Sequence, residues 1–140
     1  MNAKGYAWVL TALGLVWVSG CRSGGAADTG ARATVEGYFE AVVRQDWPSA
    51  YAVLDPEVQS RWRLEEFSQR AAKYYKGLGF QPEIVRVRYC EEHAREATAQ
   101  VIVRGKAART HKTHKDAVLL RKSGDKWSVM LPADFGQSRG

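Results

Sequence analysis

Between Gly77 and Val85 the spacing of apolar residues changes from three-and-four to two, and no single type of secondary structure can span that change. The chain is therefore helical before this point and strand-forming after it. From Ala33 to Gln45, Val35, Tyr38, Phe39, Val42 and Val43 mark one face of a helix, with Gly37 placed where close packing would justify its cost of about 1 kcal/mol. Asp46 and Pro48 start a second helix whose inward side carries Trp47, Ala50, Tyr51 and Leu54. Asp55-Pro56 repeats that start signal for a short turn carrying Val58 and Trp62. A third helix is predicted from Leu64 to Lys76, with Leu64, Phe67, Ala71 and Tyr74 on one face. Its charges, Glu65 and Glu66 early and Lys73 and Lys76 late, oppose the helix dipole, and Gly77-Leu78 suits a left-handed cap.

After Gly79 the pattern alternates. Val85, Val87 and Tyr89 face one way and Arg86 and Arg88 the other; beyond a polar turn from Glu91 to Arg95, Ala97, Ala99, Val101 and Val103 form the inner row of a second strand. Asp116 to Lys122 is apolar on both faces, as in a central strand. Ser123-Gly124-Asp125-Lys126 is a hairpin signal before a last strand bearing Trp127, Val129 and Leu131. The expected fold class is α+β: three N-terminal helices packed on a curved antiparallel sheet.

The composition, 45% hydrophobic and 26% charged over 140 residues, excludes a disordered chain and suits one domain. Two cysteines, Cys21 and Cys90, exclude a disulfide framework. The net charge of +6 includes Lys4 as the only charge of the first twenty residues, so a processed chain stays basic and favours anionic surroundings. Residues 6–18 form an apolar run too short for a standard membrane span and of the length of a secretory signal core. It ends in Val18-Ser19-Gly20-Cys21, which resembles the lipobox of bacterial lipoproteins: an aliphatic residue, two small residues that leave the backbone accessible, and a thiol that can form a thioether with diacylglycerol.

That resemblance implies removal of residues 1–20, lipid attachment at Cys21, a Gly/Ser/Ala-rich tether over 21–32, and a site at the cell envelope facing the periplasm or exterior. Arg22 after the cysteine favours the outer membrane in a two-membrane cell. With Cys21 alkylated, Cys90 has no partner within the chain.

The order of elements, the opening VEGYFEAVVRQDWPSAYAVLDPE and the closing RKSGDKWSV resemble the nuclear transport factor 2-like superfamily over most of residues 33–131, with a cystatin-like sheet as a partial imitation. The resemblance implies a domain at 33–132, a cone whose mouth holds a small molecule and an outer sheet face suited to a homodimer; after Pro132 the chain loses its pattern, so 133–140 reads as a disordered tail. Ile84, Ile102 and Met130, interrupted by Arg86, Arg88 and Gln100, are compatible with that dimer face.

Tyr38, Tyr51, Trp62, Phe67, Tyr74, Tyr89 and Trp127, with Trp47, are the candidate lining of an open cone and suit a flat apolar ligand; the other reading is that they fill the core. Enzymes of the superfamily use an Asp or His deep in the cone with a Tyr donor, but no residue here matches such a motif. Asp46 and Asp55 read as helix caps, Glu65 and Glu66 as a helix start, His93 as part of a turn. The stretch RGKAARTHKTHK, with Arg104, Lys106, Arg109, Lys112 and Lys115 around His111 and His114, is a candidate anion-binding fingertip between two strands. Two histidines and Asp116 are thin support for a metal, and no cofactor or metal is expected. The resulting expectation is a lipid-anchored, non-catalytic binding or scaffolding module. The alternatives are a small-molecule enzyme of isomerase, cyclase or dehydratase type, and a protein holding an anionic envelope polymer through residues 104–115. The envelope address disfavours nucleic acid as a partner.

Overall fold

The computed structural model describes residues 28–137. The expected signal segment, Cys21 and the tether as far as Ala27 lie outside the described residues. Four helices, α1 (Ala31–Val43), α2 (Trp47–Ala52), α3 (Pro56–Arg61) and α4 (Leu64–Gly77), precede four strands, β1 (Gln81–His93), β2 (Glu96–Ala107), β3 (Thr110–Ser123) and β4 (Lys126–Met130). The strands form one antiparallel meander in chain order, and the helices cover one of its faces.

The short turn expected at Asp55-Pro56 is a helix in its own right, so four helices rather than three precede the sheet among the described residues. Asp55 caps α3 by accepting the Glu57 amide at 2.9 Å, as Asp46 caps α2 by accepting the Ser49 amide at 3.2 Å. Just before α3 the backbone pairs with the open edge of β4: Val129 N–H donates to Val53 and Asp55 N–H donates to the Val129 carbonyl. That pairing covers the last strand's unpaired edge. The buried Asp55 carboxylate also accepts the Ser128 hydroxyl, at 3.0 Å, and lies 3.5 Å from Arg121.

Helix α1 begins at Ala31, inside the expected tether, because a strand supplies what its own sequence lacks. Gly30 provides no side-chain cap, and the Glu92 carboxylate on β1 accepts the amides of Thr29 and Ala31 and the Thr29 hydroxyl instead. Burial works against the Glu92 charge, but these hydrogen bonds, helped by Lys122, outweigh it and hold the carboxyl below its ordinary value of 4.5. A depressed carboxyl stabilises the fold fully above its unfolded value, and that contribution is lost as pH falls through the native one. Glu92→Ala is therefore expected to cost about 1–2 kcal/mol at neutral pH, on the scale of a lost helix cap. Urea titrations of the two proteins should converge as the pH drops below about 4.5.

At the other end of α4 the left-handed residue is Gly79, two positions later than expected, and Leu78 rather than Gly77 is the C-cap. The buried face of α4 is Phe67, Ala71 and Tyr75, which leaves Tyr74 only half buried. Gly37 lies on the exposed side of α1 with open space around it, so it serves no close packing.

Two bulges in β1, at Glu83 and Arg88, reset which side chains face the helices. After the second, Cys90 pairs with Ala99 in the inner row and Tyr89 pairs with Gln100 on the outer face, the reverse of simple alternation. Cys90 is a half-buried free thiol whose pKa burial pushes up. Residues 133–137 are also folded. Beyond Pro132, where a disordered tail was expected, Phe135 packs into the core against Trp62, Phe67 and Tyr74.

Candidate functional site

A cleft of about 670 Å³ lies between α1, α4, the inner side of β3 and the returning C-terminal segment. Tyr38 comes from α1, Tyr74 and Tyr75 from the last turns of α4, and His114 and Asp116 from β3. Alternation along β3 puts His114 and Asp116 in the inner row, opposite Val103 and Val101. His111, an odd number of residues from His114, stands opposite Lys106 on the outer face. The two histidines therefore cannot share an ion. No group of three or more His, Cys, Asp or Glu among the described residues is placed to hold a metal.

The polar heart of the cleft is the Tyr74 hydroxyl. It donates to Asp116 Oδ2 at 3.3 Å and lies 3.4 Å from His114 Nε2, both long contacts. Asp116 Oδ1 is held by the Ala117 amide at 2.9 Å. Behind it the Tyr38 hydroxyl is fully buried and has no hydrogen-bond partner among the described residues; the approach of Tyr75 falls short of bonding geometry. Burial drives the Tyr38 phenol far above its ordinary value, partly countered by Tyr75 and reinforced by the Asp116 charge, and burial raises Tyr75 in the same way. Both phenols thus remain neutral donors at physiological pH. A cleft with aromatic walls, neutral O–H donors and one carboxylate can receive a flat molecule and bond to a carbonyl or hydroxyl oxygen at its edge.

Of the expected lining residues, Tyr38 and Tyr74 border the cleft. Phe67, Trp62 and Trp127 are core, and Trp47 packs against that core. Tyr51 donates its hydroxyl to the Trp62 carbonyl at 2.9 Å and pins the α2–α3 connection. Tyr89, on the outer face, donates to Glu91. His114 and Asp116 were not singled out as cleft residues by sequence, although their i, i+2 spacing on a strand was a signal that they share a face.

The expected fingertip at residues 104–115 is instead two paired strands joined at Ala108 and Arg109. Arg104, Lys106 and Lys115 fall on the outer face, Lys112 is in the inner row opposite Gly105, and Arg109 is in the turn.

No protein-family model matches this sequence, and no curated protein matches it. Solved structures do match the fold. A SEC-C motif containing protein from Rhodopseudomonas palustris, known from its solution structure, aligns with a TM-score of 0.58 at 15% identity, over 74% of this chain and 77% of that one. A candidate NTF2-like transpeptidase from Campylobacter jejuni aligns with a TM-score of 0.57 at 14% identity, over 71% of this chain and 96% of that one. The chain is thus an α+β protein with the NTF2-like fold, and likeness at such identities extends to the fold alone.

Proposed function

We propose that this is a lipid-anchored cell-envelope protein whose NTF2-like domain binds a small, flat, largely apolar molecule carrying a carbonyl or hydroxyl group, without transforming it. The observation that carries the binding reading is the Tyr38 hydroxyl, buried without a hydrogen-bond partner among the described residues just behind the wall of an open cleft. A buried hydroxyl that makes no hydrogen bond costs about 1–3 kcal/mol, a cost that a ligand oxygen would remove. The Val18-Ser19-Gly20-Cys21 pattern supports the anchor.

Titration of the protein with 2-naphthol, a flat aromatic with one hydroxyl, tests the site through ligand-induced change in Tm. Saturable stabilisation is expected, weakened at least about five-fold in Tyr38→Phe, the equivalent of one modest hydrogen bond. The same variant without ligand should be as stable as the parent or slightly more so, since it removes an unpaired buried group. Absence of saturable binding, or equal binding by Tyr38→Phe, would overturn the reading. Intact mass of the chain from its native membrane tests the anchor: acyl groups on a chain starting at Cys21 are expected, and an unmodified precursor would refute it.

The convergence of His114 and Asp116 on the Tyr74 hydroxyl favours a second reading, in which the same cleft moves a proton on its ligand as isomerases, cyclases or dehydratases do. Turnover of a bound ligand that disappears in Asp116→Asn would establish it.

A further inference from the structure

The sheet face turned away from the helices carries all the exposed large hydrophobic residues among the described residues: Ile84, Tyr89 and Leu119. Around the first two stand five cations. The register sets Ile84 beside Arg104, and Arg86 beside Ile102 and then Lys115; Lys106 lies two residues along from Arg104, and Arg88 is at the bulge next to Tyr89. None of the five makes an ion pair or a side-chain hydrogen bond among the described residues. The carboxylates nearby do not neutralise them: Glu91 is engaged by Tyr89 and His93, Asp116 at the border of the groove is engaged by Tyr74 and the Ala117 amide, Glu96 lies opposite Arg121 at the far end of the sheet, and Glu83 is a single charge at the other bulge. A shallow groove of about 750 Å³ runs among Arg88, Tyr89, Gln100, Ile102 and Lys115.

We propose that this face rests on an anionic phospholipid surface, the five cations meeting headgroup phosphates while Ile84 and Tyr89 enter the headgroup boundary. Interleaved cations and exposed apolar side chains suit that surface on both counts. A linear polyanion would satisfy the charges but leave Ile84, Tyr89 and Leu119 in water, and a second copy of the face would bring its own surplus of cations. The proposal rests on the lipid-anchor reading in one respect: Asp28 is seven residues from Cys21, a tether of at most about 25 Å, which would keep the domain against its bilayer. Thr29 is bonded to Glu92 and Trp127 at the end of the sheet, so a chain arriving there leaves the outer face free to lie flat.

The test uses the full chain reconstituted into vesicles of phosphatidylcholine alone or mixed with phosphatidylglycerol. Lysine acylation by a water-soluble reagent is read residue by residue by mass spectrometry. In the mixed vesicles at low salt, Lys106 and Lys115 are expected to react at least roughly five-fold more slowly than in phosphatidylcholine, while Lys73 and Lys76, on α4 at the opposite side of the domain, are unchanged. High salt, or the variant Arg86→Gln/Arg88→Gln/Arg104→Gln, should abolish the difference. Equal reactivity in the two vesicles overturns the proposal. So does slowing that appears without vesicles as protein concentration rises, which identifies a second copy, or slowing by heparin but not by vesicles, which identifies a linear polyanion. The anchor fails separately: a chain without acyl mass that still sediments with the mixed vesicles keeps the face and removes the anchor, whereas an acylated chain with unprotected lysines removes the face alone.

Discussion

Gly105→Ala is expected to lower stability by at least about 3 kcal/mol, at the upper end of what overpacking costs, and to move the urea midpoint down by about 1–3 M. The bulge at Glu83 brings the β1 backbone across the inner side of β2, where Gly105 lies opposite Pro82. A methyl group on Gly105 would sit 1.8 Å from the Gln81 carbonyl oxygen and 2.7 Å from both its carbon and Phe80 Cδ2. Two of those three atoms are backbone. No rotamer change can relieve them, and displacing Gln81 would undo the pairing that sets the register of the whole hairpin. Gly37→Ala provides the contrast, because a methyl group there meets nothing within 4 Å. It should leave the midpoint unchanged or raise it. A Gly105→Ala protein as stable as the parent would show that β1 does not cross β2 in this way.

Phe67→Ala should be comparably severe, costing about 3–5 kcal/mol. Phe67 is fully buried, its ring 5.7 Å from Tyr51, 6.5 Å from Trp47 and 6.4 Å from Phe135, nearly parallel to the last of these. The loss removes both the transfer free energy of the ring and its contacts, because α2, α4 and the returning C-terminal segment cannot all collapse into one void. For a domain of this size it corresponds to a fall in Tm of about 12–20 °C. The cleft should respond as well. Phe135 leans on Phe67 from one side and Tyr74 from the other, so the wall formed by residues 132–137 loses its seat. Thermal unfolding checks the first effect and proteolysis near Phe135 the second. An unchanged Tm would place Phe67 outside the core.

The alternating and three-to-four periods were enough to indicate helices followed by an antiparallel meander, because burial of one face imposes its period on the chain whatever the partner. Asp46 and Asp55 were legible as caps because capping is an interaction between near neighbours in sequence. The connection at Ala108-Arg109 was not. It lacks the Gly, Asn or Asp that usually marks a tight turn, so the change of direction showed only in the strand pairing, with Ala108 taking a positive φ of 53°. Tyr89 was assigned to the inner face because a bulge adds a residue without leaving a compositional mark. Trp62, Phe67 and Trp127 could not be told from cleft residues, since a core and an apolar pocket call for the same side chains.

The sequence by itself determined the kinds and order of the elements, the local caps, the free state open to Cys90 if Cys21 is alkylated, and the surplus of positive charge. All of these depend on residues a few positions apart or on totals. Only the tertiary structure decided that Glu92 caps a helix some sixty residues away, that Phe135 closes the core, that Tyr38, Tyr74, His114 and Asp116 share one cleft, and that the cations of two distant strands form one face with Ile84 and Tyr89. The physical reason is that each of these depends on strand register and bulge position, which are set by packing between segments far apart in the chain and have no period of their own to read.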